Sequence, residues 1–120
     1  MSSAASPSRI VVATHGHCLD GLCSAALFTR LRRALGARDA QFAYKACGYG
    51  PDQGGVAPSA LDGDENAILD FRYTAAPALT WYFDHHKTAF DGPAEQADFD
   101  ADRGAHKFWD AAYGSCTKLI

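Results

Sequence analysis

The sequence has 120 residues, of which 48% are hydrophobic and 21% are charged, and it includes seven Phe and two Trp. A chain of this composition can bury a core, which argues against intrinsic disorder and favours one globular domain. The formal net charge of −3 excludes attraction of nucleic acid by bulk charge. Any contact with phosphates would therefore depend on metals and on a few local basic groups.

The first eight residues are small and polar, so we expect a disordered tail there, followed by one domain over residues 9–120. The tail has neither the basic segment nor the apolar segment of a secretion signal. No apolar run in the sequence approaches the ~18 residues that a membrane-spanning helix needs. We therefore expect a cytoplasmic protein with no membrane contact.

The first strand and the first helix have the clearest patterns. Residues 9–14 (RIVVAT) are apolar and β-branched, which predicts a buried strand. Residues 22–35 predict a helix, with Asp20 as the candidate N-cap and Gly36 where the helix stops. The apolar face of this helix would carry Cys23, Leu27, Leu31 and Ala34.

The rest of the chain predicts further strands separated by polar segments. The predicted strands cover residues 40–46, 67–71 and 79–83, with a weak fifth strand beginning at Phe99. The predicted irregular and helical segments are a Gly- and Pro-rich loop over residues 48–63, a short helix within 91–98 and a last helix with Ser115 as its N-cap.

These elements predict an α/β fold with an open, mainly parallel sheet flanked by helices. One detail conflicts with a parallel sheet. Only residues 72–79 join the third and fourth strands, whereas a parallel crossover usually needs a dozen or more. Either a single turn around Pro77 suffices, or the strand limits differ by a few residues.

Three clusters of polar side chains follow predicted strands. They are His15, His17, Cys18 and Asp20 after the first strand, Asp70 at the end of the third, and Asp84, His85 and His86 after the fourth. In open α/β sheets ligands bind outside the carboxyl ends of the strands, so we expect these side chains to meet. Imidazoles mixed with carboxylates suit Mn²⁺, Fe²⁺ or Zn²⁺, and two such ions can clamp a phosphoryl group.

Each of these residues also has a structural interpretation. Asp20 alone is more typical of a helix cap, Asp70 of a turn, and His15 of a solvated loop. Adjacent His residues on a strand point to opposite faces, so His85 and His86 serve one site only if the strand has ended. The joint arrangement of the clusters favours a metal site, whereas no single residue does.

Four segments resemble the motifs of the DHH family of phosphoesterases. "VVATHGHCLDGLCSAALF" resembles the first motif, "NAILDF" the second, "WYFDHHKTAF" the third and "GSCTKLI" the fourth. They occur in the family order and span residues 10–120. The resemblance implies hydrolysis of a phosphodiester or phosphoanhydride at a centre of two divalent ions, usually Mn²⁺. The implied partners are phosphate-containing small molecules or short single-stranded nucleic acid.

The resemblance also implies a role for each matching residue. Asp70 would bridge the two ions, His15 would bind one, and Asp20 and His85 would bind the other. Asp84 would support the site from its edge. His86 would face the substrate phosphate, and we also expect Lys87 to contact substrate.

Two departures from the family pattern, one within the first motif and one beyond the fourth, affect these expectations. Cys18 stands where the first motif usually has Asp, and a thiolate there would favour softer ions such as Zn²⁺. The His spacing differs by about one residue, so either His15 or His17 is the ligand. The family supplies a further Asp and a second domain beyond the fourth motif, whereas this sequence stops at Ile120. We therefore expect a partial domain with weak or no activity alone and with one uncovered flank that permits oligomers.

The leading hypothesis is a metal-dependent phosphoesterase domain of the DHH type. The alternative is a catalytically inactive module that binds nucleotides or phosphate. A third interpretation is an α/β fold whose His residues are only structural.

Overall fold

The computed structural model describes residues 7–16, 19–47, 55–102 and 106–120. Its strands are β1 (Arg9–His15), β2 (Gln41–Cys47), β3 (Glu65–Leu69), β4 (Trp81–Asp84) and β5 (Lys107–Trp109). Its helices are α1 (Leu19–Ala34), α2 (Pro93–Asp102) and α3 (Cys116–Leu119), with a 3₁₀ turn at Pro58–Ala60. Within these residues, we find no helix that combines the length and the apolar character needed to cross a bilayer.

The described strands form one parallel sheet in the order β2-β1-β3-β4-β5. The predicted α/β architecture is thus confirmed. The chain moves outward from β1 to β2 and then returns to place β3 on the other side of β1. In doubly wound sheets this reversal opens a crevice at the carboxyl ends of the two central strands, where ligands bind.

The central strands are covered on both faces of the sheet, and their side chains alternate between two apolar clusters. On one face, Ile10 and Val12 pack with Phe28 of α1 and Cys116 of α3. On the other face, inward-pointing residues such as Ile68 and Tyr82 pack with Phe99 of α2. The sheet is therefore a rigid base whose carboxyl edge is left for polar side chains.

Helix α1 buries a different face from the one predicted. Its buried residues are Gly21, Ser24, Ala25, Phe28 and Thr29. Three of the four residues assigned to the apolar face, Cys23, Leu27 and Leu31, are only half-buried, and the fourth, Ala34, is exposed. Apart from Phe28 these residues are small, which lets the helix pack closely on the sheet, and the Thr29 hydroxyl is satisfied by donating to the Ala25 carbonyl at 2.8 Å. The predicted stop is confirmed: Gly36 has a φ of 122° just after the helix.

Phe99 does not begin a strand. It lies inside α2, is 1% exposed, and its ring contacts those of Tyr73, Tyr82 and Phe90. A single apolar residue in an acidic stretch carries too little periodicity to separate helix from strand. The fifth strand is β5, several residues later.

The crossover between β3 and β4 contains no helix. Residues 70–80 form neither helix nor strand, and a turn at Pro77 is closed by the Leu79 amide, which donates to the Ala76 carbonyl at 3.0 Å. Phe71 and Tyr73 fill the second apolar cluster in place of a helix. A turn around Pro77 is thus sufficient for the parallel connection, and pairing of β3 with β4 places their carboxyl ends side by side.

A bidentate ion pair fixes the far end of α1 to the sheet. The Arg32 guanidinium donates to both carboxylate oxygens of Glu65 at 2.8 Å, and the Trp81 indole donates to the same carboxylate at 2.9 Å. Hydrogen bonding from Arg32 lowers the pKa of Glu65, although burial opposes this. One carboxylate therefore joins a helix and two strands.

We expect Glu65→Gln to destabilise the fold by about 1.5–3 kcal/mol, because the hydrogen bonds to a charged acceptor are lost. Since folding lowers the pKa of Glu65, the contribution is complete above its usual value of 4.5 and is lost as the pH falls below it. Urea unfolding of both proteins from pH 7 to pH 3 tests this. Equal stability at pH 7, or a difference that does not shrink towards pH 3, would contradict it.

Candidate metal centre

Asp70 leaves the sheet at the end of β3 in an unusual conformation. Its φ is 56°, in the left-handed region that Asp tolerates better than most residues, and it is 1% exposed. Its amide donates to the Phe83 carbonyl on β4 at 2.8 Å. The backbone thus turns at this residue while staying attached to the neighbouring strand, which holds the carboxylate beside the end of β4.

The end of β4 supplies three more side chains to the same place. Ligand atoms of Asp70, Asp84, His85 and His86 all lie within 4.8 Å of one another, so this group could hold a metal ion. Strand β4 ends at Asp84, so the two imidazoles are freed from strand alternation. Their ring centroids are 4.6 Å apart. The expectation that both serve one site only after the strand ends agrees with this geometry.

The orientation of His85 is set by a backbone carbonyl. Its Nδ1 lies 3.1 Å from the Tyr113 oxygen, which can only accept, so Nδ1 carries the proton in that hydrogen bond. In the neutral ring the lone pair is then on Nε2, the tautomer that a metal ligand needs. This Nε2 lies 3.3 Å from Asp70 Oδ1 and 3.4 Å from Asp20 Oδ2.

Asp20 reaches the centre from helix α1 but does not cap that helix. It lies within the first turn, and its two carboxylate oxygens accept from the Cys116 and Thr117 amides at 2.8 Å. The Thr117 hydroxyl donates to the same carboxylate at 2.6 Å. The predicted cap is therefore wrong for α1: Asp20 instead satisfies the amides that open α3.

The hydrogen bonds of Asp20 keep it ionised. Burial opposes ionisation, but the bonds from Thr117 and Cys116, together with His85, outweigh it and lower the pKa of Asp20. Asp20 thus brings a full negative charge to within 3.4 Å of the His85 ring.

Asp84 and His86 form a hydrogen-bonded pair. His86 Nδ1 lies 2.6 Å from Asp84 Oδ1, and the Tyr82 hydroxyl lies 3.3 Å from the other oxygen. Asp84 has no exposed surface, and its burial raises the pKa of the carboxyl despite the opposing effect of His86. With Nδ1 held by Asp84, the free nitrogen of His86 is Nε2.

This convergence of electron-rich atoms favours a cation. Buried carboxylates are normally paired or bound to metals. Ligand atoms on one ion at metal distances of about 2.1 Å lie roughly 3.0–3.4 Å from each other. The 3.3 Å and 3.4 Å separations around His85 Nε2 match that spacing. The donor set of carboxylate oxygens and imidazole nitrogens therefore fits a divalent ion such as Mn²⁺, Fe²⁺ or Zn²⁺.

The other predicted residues are less closely tied to this group. His15 ends β1, and its ring stacks on that of Phe71 at 5.9 Å, but it is not among the four residues of the group. Lys87 is exposed in the turn after His86. His17 and Cys18, both predicted as ligands, lie outside the described residues. The choice between His15 and His17 therefore stays a prediction.

Two contacts of the centre were not predicted from the sequence. One is Thr117, which binds Asp20 through its amide and hydroxyl, and the other is the Tyr113 carbonyl, which orients His85. The predicted helix start at Ser115 is confirmed, since its side chain accepts from the Lys118 amide. That start could have suggested an acidic partner for the first turn, but no pattern identifies a backbone carbonyl.

Comparisons of the chain with protein-family models, with curated proteins and with solved structures found no match. The interpretation of the centre therefore depends on its own geometry.

Gly21 allows α1 to approach the end of β1. A Cβ at this position would lie 2.6 Å from the His15 carbonyl oxygen, closer than real contacts allow. Because the obstacle is backbone, the helix itself would have to move. The approach brings the neighbouring Asp20 to the sheet edge.

We expect Gly21→Ala to destabilise the fold by about 1–3 kcal/mol, as overpacking does, and to displace Asp20 from α3. Gly114→Ala is the matched control, because a Cβ there meets nothing within 4 Å. Urea denaturation of the two variants provides the comparison. If both variants are as stable as the unmodified chain, the close approach has no energetic importance.

We expect Asp20→Ala to destabilise the protein by about 1–3 kcal/mol, since two amides lose a charged acceptor. Amide hydrogen exchange at Cys116 and Thr117 should accelerate more than exchange in β1. Asp39→Ala, which removes an exposed carboxylate in the turn before β2, serves as the control. Unchanged exchange at α3 would show that Asp20 does not hold this helix.

Proposed function

We propose that this chain is a metal-dependent phosphoesterase domain, similar to the DHH family, that hydrolyses a phosphodiester or phosphoanhydride. The observation that carries the proposal is the meeting of Asp20, Asp70 and His85. They come from three distant parts of the sequence, yet His85 Nε2 lies within 3.4 Å of both carboxylates. These are three of the positions to which the resemblance gives metal-binding roles.

The proposed metal ligands are Asp20, Asp70 and His85, with His15 or His17 binding a second ion. Bound divalent ions would supply Lewis acidity to the phosphoryl group and activate water for attack. Mn²⁺ is the ion that the resemblance implies, and carboxylates favour hard ions of this kind. Asp70, the most buried of the three ligands, is the residue we propose to be shared between the ions.

His86 has the geometry of a group that acts on the substrate itself. Asp84 accepts from Nδ1, which fixes the ring, and in the doubly protonated ring Nε2 is then the nitrogen that can donate a hydrogen bond to a phosphate oxygen. Trp109 further restrains the segment, because its indole donates to the His86 carbonyl at 2.8 Å. We assign to His86 the holding of substrate phosphate and the delivery of a proton to the leaving oxygen. Asp84 positions it, and Lys87 is a candidate for a further phosphate contact.

Metal titration provides the first test. We expect the chain to bind Mn²⁺, and Asp70→Asn to weaken that binding at least about tenfold. Asn is nearly the same size as Asp and also tolerates a positive φ, so this variant should keep the fold. Asp39→Asn, at an exposed turn, is the matched control and should bind like the unmodified chain. Equal Mn²⁺ affinity in all three proteins would exclude the proposed centre.

Hydrolysis of bis-p-nitrophenyl phosphate and of a short oligonucleotide, with Mn²⁺ and with chelator, provides the second test. Turnover that needs the metal and falls about 100-fold or more in His86→Asn supports the phosphoesterase. Metal-dependent binding of phosphate esters without turnover, in a chain extended past Ile120, would instead support the alternative, an inactive nucleotide- or phosphate-binding module.

A further inference from the structure

We infer that an open groove between α1 and β2 binds a planar aromatic anion of about the size of a mononucleotide. The groove encloses about 570 Å³, a volume typical of small-molecule sites. One end lies at His15, beside the metal centre, and the other at Arg33 on α1. This site is additional to the proposed phosphoesterase centre, because none of its contacts requires a metal.

The middle of the groove is apolar and includes a fixed aromatic wall. Tyr44 on β2 is 55% exposed, yet its hydroxyl lies 2.7 Å from Thr29 Oγ1 on α1. Because Thr29 donates its only hydrogen to Ala25, Tyr44 is the donor in this bond. The ring also stacks in parallel with Phe42 at 6.4 Å, with 16° between planes. An exposed ring held at both its tip and its face is already ordered for stacking on a flat ligand.

Leu22 extends this apolar surface. It is 69% exposed, although it belongs to the first turns of a packed helix, and it lines the groove with Ala26. From Leu22 to Arg33 the helix rises about 16 Å, which is enough for a ring followed by a charged group. An exposed Leu and an exposed Tyr facing one cavity indicate an apolar ligand part.

The charge around the groove identifies the second part of the ligand. Arg30 and Arg33, one turn apart on α1, line its far end, and no acidic residue belongs to its described lining. Lys45 also lines the groove, but its ammonium group already donates to the Ala60 carbonyl and to Asp62. Two guanidiniums with no acidic residue in the described lining of the groove favour an anionic group such as phosphate.

The test compares AMP with ribose 5-phosphate, which has the same sugar and phosphate but no ring. Binding is measured by calorimetry in EDTA, so that failure of the metal centre does not affect the result. We expect AMP to bind at least about tenfold more tightly, because stacking on an aromatic side chain is worth about that much. Equal affinities for the two probes, or no binding of AMP, would overturn the inference.

Two pairs of variants locate the binding. Ala26→Trp should fill the groove and abolish AMP binding, whereas Ala34→Trp, also exposed on α1 but outside the groove lining, should not. Arg30→Gln should weaken AMP binding about tenfold, whereas Arg38→Gln, an exposed change beyond the helix, should leave it unchanged. The arginine pair keeps the test decisive if Ala26→Trp fails to fold. AMP binding that is insensitive to both groove variants would place the ligand elsewhere and refute the groove.

Discussion

The candidate centre depends on the interactions of one group, the Asp20 carboxylate. It accepts hydrogen bonds from the first amides of α3 and at the same time lies 3.4 Å from His85 Nε2. One group therefore joins the first helix of the chain, the last helix and the end of β4. Without it, the first amides of α3 would lose their acceptors and the centre would lose one of its negative charges. If Asp20 also binds a metal, as proposed, the stability of α3 and metal binding would depend on the same carboxylate.

Parallel strands explain how residues so distant in sequence come together. Asp70 and the segment from Asp84 to His86 lie at the carboxyl ends of neighbouring strands, and parallel pairing keeps those ends in contact. The positive φ at Asp70 then turns its carboxylate beside the two His rings. An outlying backbone conformation at a buried carboxylate is typical of functional sites, where surrounding structure holds it in place. The sheet holds the strand ends in fixed positions, and the side chains at those ends form the candidate centre.

Much of this arrangement could be predicted from the sequence, because strands made of β-branched residues and strand-end clusters are local patterns. β1, β2 and the start of α3 are within about one residue of their predicted limits. The buried face of α1 could not be predicted, because it depends on how closely the helix approaches β1, which Gly21 decides. The true partner of Asp20 could not be predicted either. A carboxylate near a helix start has the same local sequence whether it caps its own helix or a remote one. The helical position of Phe99 could not be predicted either, because the rings that it contacts, those of Tyr73 and Tyr82, lie outside α2.

The Cys116 thiol can be used to measure whether α3 is docked on the sheet. Its thiol has no exposed surface, donates to the Phe83 carbonyl at 3.2 Å, and burial raises its pKa to about 12. Alkylating reagents attack thiolates, so this sulfur is inert while α3 stays docked on the sheet. Its rate of labelling would therefore measure how often the last helix detaches. A ligand that stabilises the neighbouring centre would therefore slow the alkylation of Cys116 without contacting it.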